Sequence, residues 1–315
     1  MAALAADTAS GAPAPAAAPA TAPLPLTYKR LVAERCGASF REVARVVDTP
    51  IQLPGPGEVL IRISHAGING GCETFRVRGE FAFSSNCEKE GFPLGAEGAG
   101  VVVALGEGVT SLQVGQAVTC NGAAAFSEFA VAKALMCTPV PAATPEAVAL
   151  SLSAVTACCA LEATAGVKAG DTVAVTAAAG GTGHFGVQLA KLAGAKVVAI
   201  TGSPEKVGYI SEYPHALAPG TPVSAGPDGV SLDALFWGGK ATELEGGRRV
   251  IGQVWPSDPR AIRQCKRRVF DLHETGHLVA WADVSHGFKG VDQVADAIDY
   301  MLAGRHVGKV VIPIT

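Results

Sequence analysis

Residues Val173–Gly194 read VAVTAAAGGTGHFGVQLAKLAG. A short β-branched run (Val173, Val175, Thr176) leads into a turn of small residues, Ala177–Gly183. An amphipathic segment follows, with Phe185, Val187, Leu189 and Leu192 as its apolar positions. Strand, tight turn and helix in that order let backbone N–H groups at a helix N-terminus approach a pyrophosphate, whose charge the helix dipole favours. Of the glycines of G-x-G-x-x-G, Gly180 and Gly183 hold the second and third places, and Ala178 stands at the first. Glycine-rich turns also arise for conformational reasons alone. Here, however, a second strand, Lys196–Thr201, follows once Gly194 has ended the helix, which is the context the fingerprint requires. The expectation is a dinucleotide site contacted by Ala178, Gly180, Gly181, Thr182 and Gly183.

The end of the second strand bears on which dinucleotide. A site for NADH places an acidic residue there to accept the ribose 2′-hydroxyl. This chain has Thr201-Gly202-Ser203-Pro204-Glu205-Lys206, in which Ser203 and Lys206 can donate to a 2′-phosphate. A solvated turn with an incidental lysine is the plainer alternative. The expected cofactor is NADPH.

With 315 residues the chain can bury cores for two domains. The net charge is −3 and charged residues are 17 % of the chain, which argues against a nucleic-acid partner. The basic cluster Lys266-Arg267-Arg268, with Arg260 and Arg263, reads as a solvated helix face. Eight cysteines occur without a C-x-x-C pair, which fits reduced thiols better than a disulfide framework. The apolar stretch Ala147–Leu161 is interrupted by Ser and Thr and is too short to span a bilayer, so it reads as a buried helix in a soluble protein without a membrane partner.

Four regions are expected. Residues 1–25 are Ala- and Pro-rich, without Lys or Arg, and read as disordered. A transit peptide is Arg- and Ser-rich, so cytoplasm, peroxisome, mitochondrion and plastid all stay open as compartments. Residues 26–150 read as β, with Val59, Ile61 and Ile63 alternating in a half-buried strand and further strands at Gly98–Ala104, Ala117–Cys120 and Phe126–Val131. Residues 151–285 alternate helix and strand as in a parallel α/β sheet. Residues 286–315 give a helix, Val291–Leu302, with Asp292, Asp296 and Asp299 on its exposed side, then a strand, Val307–Ile312.

The segments Pro54-Gly55-Pro56-Gly57-Glu58-Val59-Leu60, Gly67-Ile68-Asn69, Pro93-Leu94-Gly95-Ala96-Glu97-Gly98, the loop AAAGGTG and Gly308-Lys309-Val310-Val311 occur in that order. Together they resemble the medium-chain dehydrogenase/reductase superfamily, in its quinone-oxidoreductase-like branch. The resemblance implies an α/β plus β fold in which a GroES-like β domain packs on a Rossmann-type domain, with NADPH and substrate in the cleft. It leaves room for a homodimer. It also implies hydride transfer from NADPH to the β-carbon of an enone, alkenal or quinone.

In zinc-dependent members a Cys, the His of a Gly-His-Glu motif and a distant Cys hold the metal. Here Gly95-Ala96-Glu97 has alanine in the histidine place, so no metal is expected. Cys72, near the first ligand's place, reads as a small half-buried residue. His273-Glu274-Thr275-Gly276-His277 matches H-E-x-x-H. That motif needs one continuous helix, whereas Gly276 ends the basic helix Ala261–His273 and Leu278–Ala282 reads as a strand.

The resemblance further implies roles for single residues. Tyr213, in Ile-Ser-Glu-Tyr, is similar to a tyrosine that contacts substrate and cofactor in relatives, and Asn69 to an asparagine near the nicotinamide; these two are the expected catalytic residues. Glu73 stands where relatives carry Asp, and Thr156, in Ala-Val-Thr-Ala, matches a threonine at the cleft floor that contacts the cofactor.

After Lys206 the chain departs from the family. A helix, two strands and an intervening helix are absent, a loss of roughly sixty residues in a sheet whose strand order is 3-2-1-4-5-6. The Rossmann-type sheet is therefore expected to be shortened by about two strands, with the strand before the glycine turn losing its neighbour. A strand at Val207–Ile210, a later segment, or an open edge would take that place. Two readings follow: an active NADPH-dependent enone reductase, and a catalytically impaired nucleotide-binding relic or shortened form of one.

Overall fold

The computed structural model describes residues 23–211, 241–244, 248–251 and 255–315. Most of the Ala/Pro-rich segment, Tyr213, and the Gly220–Gly229 stretch lie outside the described residues.

The first half is a β domain. Strands β1 (Thr27–Ala33) and β2 (Ala44–Pro50) pair antiparallel, joined by the short helix α1 (Phe40–Val43). The larger sheet is built on β3 (Glu58–Gly67), and after helix α2 (Gly70–Arg78) and β4 (Phe92–Pro93) it gains β5 (Glu97–Leu105), β6 (Ala117–Asn121), β7 (Phe129–Lys133) and β8 (Cys137–Pro139). Val59, Ile61 and Ile63 are buried as the alternation predicts, but so is Leu60. β3 is a central strand, with β5 on one edge and β7 and the C-terminal strand sharing the other, and Leu60 shows that its second face is not left to solvent either.

Eight cysteines give six free thiols and one pair: Cys36 and Cys87 are joined as a disulfide, with Cα atoms 5.0 Å apart. This corrects the expectation of reduced thiols throughout. The chain folds back so that positions far apart in sequence meet beside the end of α2, a proximity that spacing alone does not encode.

The apolar stretch forms α3 (Pro145–Thr164), long and apolar enough by composition to cross a membrane, but Leu150, Ala154, Val155, Cys158 and Cys159 are buried within the protein. Thr144 caps its N-terminus by accepting from Ala147 N–H, and Pro145 takes the first helical position. Then β9 (Thr172–Val175), α4 (Gly183–Leu192) and β10 (Lys196–Ala199) form the expected unit, β9 and β10 pairing in parallel. Phe185, Val187 and Leu189 of α4 are buried; Leu192 is not.

Among the described residues β9 pairs with β10 alone. Val207–Ile210 is not a strand but part of α5 (Glu205–Ser211), whose first turn closes between Val207 N–H and the Pro204 carbonyl at 3.0 Å. The antiparallel pair β11 (Ala241–Leu244) and β12 (Arg248–Ile251) forms a separate two-stranded sheet. The long helix α6 (Pro259–Glu274) follows, capped by Asp258.

The segment after α6 was expected as a strand from Leu278. Regular pairing occurs only at β13 (Ala282–Asp283), which runs parallel to the C-terminal strand. Its earlier residues bond to side chains of α4 instead: Gln188 donates to the Val279 carbonyl (3.0 Å) and accepts its N–H (2.8 Å). Helix α7 (Val294–Leu302) and β14 (Lys309–Pro313) complete the chain. The acidic face of this last helix meets the β domain, Asp296 and Asp299 both pairing with Arg41, at 2.7 and 2.6 Å.

Candidate functional site

The glycine turn is tight. The Ala177 carbonyl accepts from Gly180 N–H at 2.8 Å, and Ala178 N–H donates to the Ile200 carbonyl at 2.9 Å beyond β10. A Cβ on Gly183 would stand 2.1 Å from the Ala177 oxygen, so only glycine lets α4 begin so close to the strand that feeds it. At Gly181 a Cβ would lie 3.1 Å from Lys309 Cδ and 3.6 Å from Ser153 Oγ, so bare backbone faces that space. Thr182, the N-cap of α4, makes no side-chain capping bond, and of the first-turn amides that of His184 is taken by the Gly180 carbonyl at 3.1 Å. A groove of about 500 Å³ runs along Val173–Ala177, past Gly180–Gly183, with Ala157 and Leu161 of α3 on its other wall. Backbone cradle, helix N-terminus and groove fit a dinucleotide.

His184, the second residue of α4, is fully buried and holds the turn to the rest of the fold. Its Nε2 accepts from Trp281 N–H (3.1 Å), so Nδ1 carries the proton and donates to the Gly180 carbonyl (2.9 Å). Burial lowers its pKa to about 4, keeping it neutral.

Next to the groove lies a smaller cavity of about 120 Å³, which shares Gly181, Thr182 and His306 with it. Asn69, Ser153 and Lys309 line this cavity. Lys309 is 3 % exposed and forms an ion pair with the fully buried Glu97 at 2.5 Å. Its Nζ also donates to Asn69 Oδ1 (2.6 Å), while Asn69 Nδ2 donates to Glu97 Oε1 (2.8 Å). Ser151 donates to the other carboxylate oxygen at 3.3 Å. The amide expected to be catalytic is therefore locked into a buried triangle of lysine, glutamate and asparagine. Lys309 comes to the site because Gly308 N–H bonds to the Ala179 carbonyl (2.7 Å), stitching β14 to the glycine turn.

Glu73 lies on α2, completely buried. Its Oε1 accepts from Ala96 N–H at 2.9 Å, and burial pushes its pKa up. The carboxyl thus braces the Gly95-Ala96 turn. Among the described residues no group of three or more His, Cys, Asp or Glu is arranged to hold a metal ion. The H-E-x-x-H match separates as its helix stop predicts. α6 ends at Glu274, His273 bonds to the Leu278 carbonyl (2.9 Å), and His277 to the Thr275 hydroxyl (3.0 Å).

The remaining expected residues are dispersed. Lys206 donates to the Gly304 carbonyl at 2.5 Å, and Ser203 hydrogen-bonds to the Glu205 carboxylate, lowering its pKa together with that residue's own backbone amide. Thr156 accepts from the Trp255 indole at 2.9 Å and is not among the residues lining the groove. Tyr213 lies outside the described residues. Sequence reasoning named no role for Lys309 or His184. The signal available was Gly308-Lys309 following a helix and a turn, and a polar residue one position into the helix after the glycines.

A family model described as the alcohol dehydrogenase GroES-like domain matches residues 55–142. Mouse prostaglandin reductase-3 is 30 % identical over 343 residues, covering 92 % of this chain and 90 % of the relative. A probable quinone oxidoreductase of Leishmania amazonensis is 30 % identical over 342 residues, covering 92 % and 99 %. Among solved structures, the CurK enoyl reductase superposes with a TM-score of 0.67 at 21 % identity, over 91 % of this chain and 99 % of that one. The Coxiella burnetii quinone oxidoreductase does so at 0.68 and 21 %, over 92 % and 100 %. A mycobacterial protein solved with NADPH gives 0.67 at 24 %, over 90 % and 99 %. At these identities the solved structures speak for the fold alone.

The chain belongs to the medium-chain dehydrogenase/reductase superfamily. Within it, the chain is similar to prostaglandin reductase-3 and to quinone oxidoreductases. An alignment of 343 positions exceeds the 315 residues of the chain, so the mouse relative holds residues with no counterpart here.

Proposed function

We propose that this chain is a zinc-independent, NADPH-dependent reductase of C=C bonds conjugated to a carbonyl, taking enones, alkenals or quinones. The observation that carries the reading is that the glycine-turn groove adjoins, through Gly181, Thr182 and His306, the small cavity lined by Asn69 and Lys309. The names of the relatives, and the mycobacterial complex with NADPH, support the same class.

When bound, NADPH would supply a hydride to the β-carbon; the resulting enolate takes its proton at the α-carbon from water, and the chain's own residues bind, orient and stabilise. The Gly181–Gly183 backbone and the start of α4 bind the pyrophosphate. Lys206 turns from the Gly304 carbonyl to the 2′-phosphate, with Ser203 beside it. Lys309 has three N–H donors, of which Glu97 and Asn69 hold two. Lys309 lines the cavity, and its remaining donor would offset charge on the developing enolate oxygen there. Asn69 acts as a positioning residue, fixing the lysine and the floor beneath the substrate. Alanine at position 96 and the carboxyl of Glu73 behind it leave no imidazole donor for zinc.

The test is NADPH oxidation by the purified full chain with an α,β-unsaturated ketone, the saturated ketone accumulating in equal amount. One observation favours a second reading, a nucleotide-binding form without turnover: the unshared edge of β9 beside the groove, among the described residues. That reading predicts thermal stabilisation by NADPH with no enone-dependent oxidation. Absence of both effects removes both readings.

A further inference from the structure

A second cavity, of about 780 Å³, lies on another part of the molecule, between the Leu135–Pro141 segment of the β domain and helix α6. It shares no lining residue with the groove or the small cavity at the glycine turn. Its size is in the range of sites that enclose a small organic ligand.

The cations of α6 fall into two sets. Arg260 pairs with Asp258 at 3.3 Å, and Arg268 pairs with Glu162 at 2.6 Å. Arg263, Lys266 and Arg267 make no ion pair among the described residues, and these three are the ones that line the cavity. Spaced three and four apart, they share one face of the helix, while Cys265 and Val269 are buried against the core. Lys266 is half-buried, and its Nζ is held by a neutral partner, the Thr138 hydroxyl at 2.9 Å. Burial lowers its pKa. The neighbouring thiol of Cys137 is pushed up to about 11 by burial, so it is neutral and does not balance the lysine. Two carboxylates also reach the cavity, Asp271 and Glu274, one and two turns beyond Arg267 on the same helix. Positive charge is therefore concentrated at one end. The opposing wall carries Leu135 and Pro139 on either side of Cys137 and Thr138, and Phe270 continues its apolar part from the helix.

A partly buried lysine costs desolvation free energy, which an anion at its side offsets. The apolar side chains beside it, among them the exposed Leu135, would be covered by hydrocarbon. We propose that this cavity binds an amphipathic anion, an aliphatic chain with one acidic head group, the head at Arg263, Lys266 and Arg267 and the chain along Leu135, Pro139 and Phe270. Carboxylate and phosphate heads share the required chemistry. The proposal is independent of the reductase reading, because the site is separate from the nucleotide groove.

Calorimetric titration of the full chain with monomeric dodecanoate, dodecyl phosphate, dodecanol and dodecyltrimethylammonium tests it. The expected result is saturable one-to-one binding of an acidic amphiphile, with dodecanol and the cation at least tenfold weaker. Tighter binding of dodecyl phosphate assigns a phosphate head; tighter or equal binding of dodecanoate assigns a carboxylate. Lys266→Met should weaken the acid at least tenfold, and Lys266→Arg should restore most of the affinity. The surface pair Arg263→Gln and Arg267→Gln should weaken it with the fold intact, and NADPH should not displace the ligand. Equal binding of dodecanol, or unchanged affinity in Lys266→Met and in the arginine pair, overturns the proposal, as does the absence of saturable binding.

Discussion

Lys309 and Glu97 form a buried ion pair at 2.5 Å, and Asn69 bonds to both members. Lys309 arrives from the last strand, Glu97 from the middle of the β domain. Removing one partner leaves the other charge buried and uncompensated, at a cost of about 3–5 kcal/mol. Lys309→Met and Glu97→Met should each lower stability by about that much in denaturant titration. The double variant should lose much less than the sum. Additive losses would show that the two charges do not act as a pair.

The glycine turn gives a steric prediction. Gly183→Ala places a methyl group 2.1 Å from the Ala177 oxygen, whereas a Cβ at Gly202 meets nothing within 4 Å. Thermal stabilisation by NADPH should disappear in Gly183→Ala and persist in Gly202→Ala. Retained stabilisation in the first variant would mean that the cofactor lies elsewhere.

Lys206 lies in the first turn of α5, after the second strand, and donates to the Gly304 carbonyl, which a 2′-phosphate would replace in the proposed complex. Loss of one charge-assisted contact costs about 1.5–3 kcal/mol, roughly 10- to 100-fold in affinity. Lys206→Ala should weaken NADPH by that factor and leave NADH nearly unchanged. Parallel weakening of the two cofactors by isothermal titration would remove the 2′-phosphate role.

His184 sets a pH dependence. Its folded pKa of about 4 lies below the usual histidine value near 6.5, so between these values the unfolded chain binds the extra proton. The folded state loses stability as pH falls from about 6.5 towards 4, by about 3 kcal/mol at most, and the group contributes no slope above neutrality. His184→Gln should flatten this part of the stability–pH curve. An unchanged curve would assign the slope to His65 and His306, whose pKa values burial also lowers.

The glycine turn, its flanking strands and the β domain were legible in the chain because they rest on local signals: β-branched runs, small residues at a tight turn, and a helix stop at glycine. The conformation of the chain just after Lys206 was not legible. Val207–Ile210 is β-branched at only two positions and follows Pro204 and Glu205, and the helix start outweighs strand propensity there. The Val279 backbone, which could have joined a sheet, is satisfied by the Gln188 amide across helix α4. The Cys36–Cys87 pairing and the Lys309–Glu97 contact join residues far apart in sequence, where neither propensity nor periodicity carries information. Asn69 was found through its motif, yet its locked position follows only from that long-range contact.

The most direct measurement uses NADPH deuterated at the transferring carbon, with a purified enone and the full chain. The product is analysed by mass spectrometry and nuclear magnetic resonance. The account predicts a saturated ketone carrying the label on the former β-carbon, formed at the rate of NADPH oxidation. Label on the carbonyl carbon of an alcohol product, or an enone returned unlabelled while NADPH is bound, would contradict it.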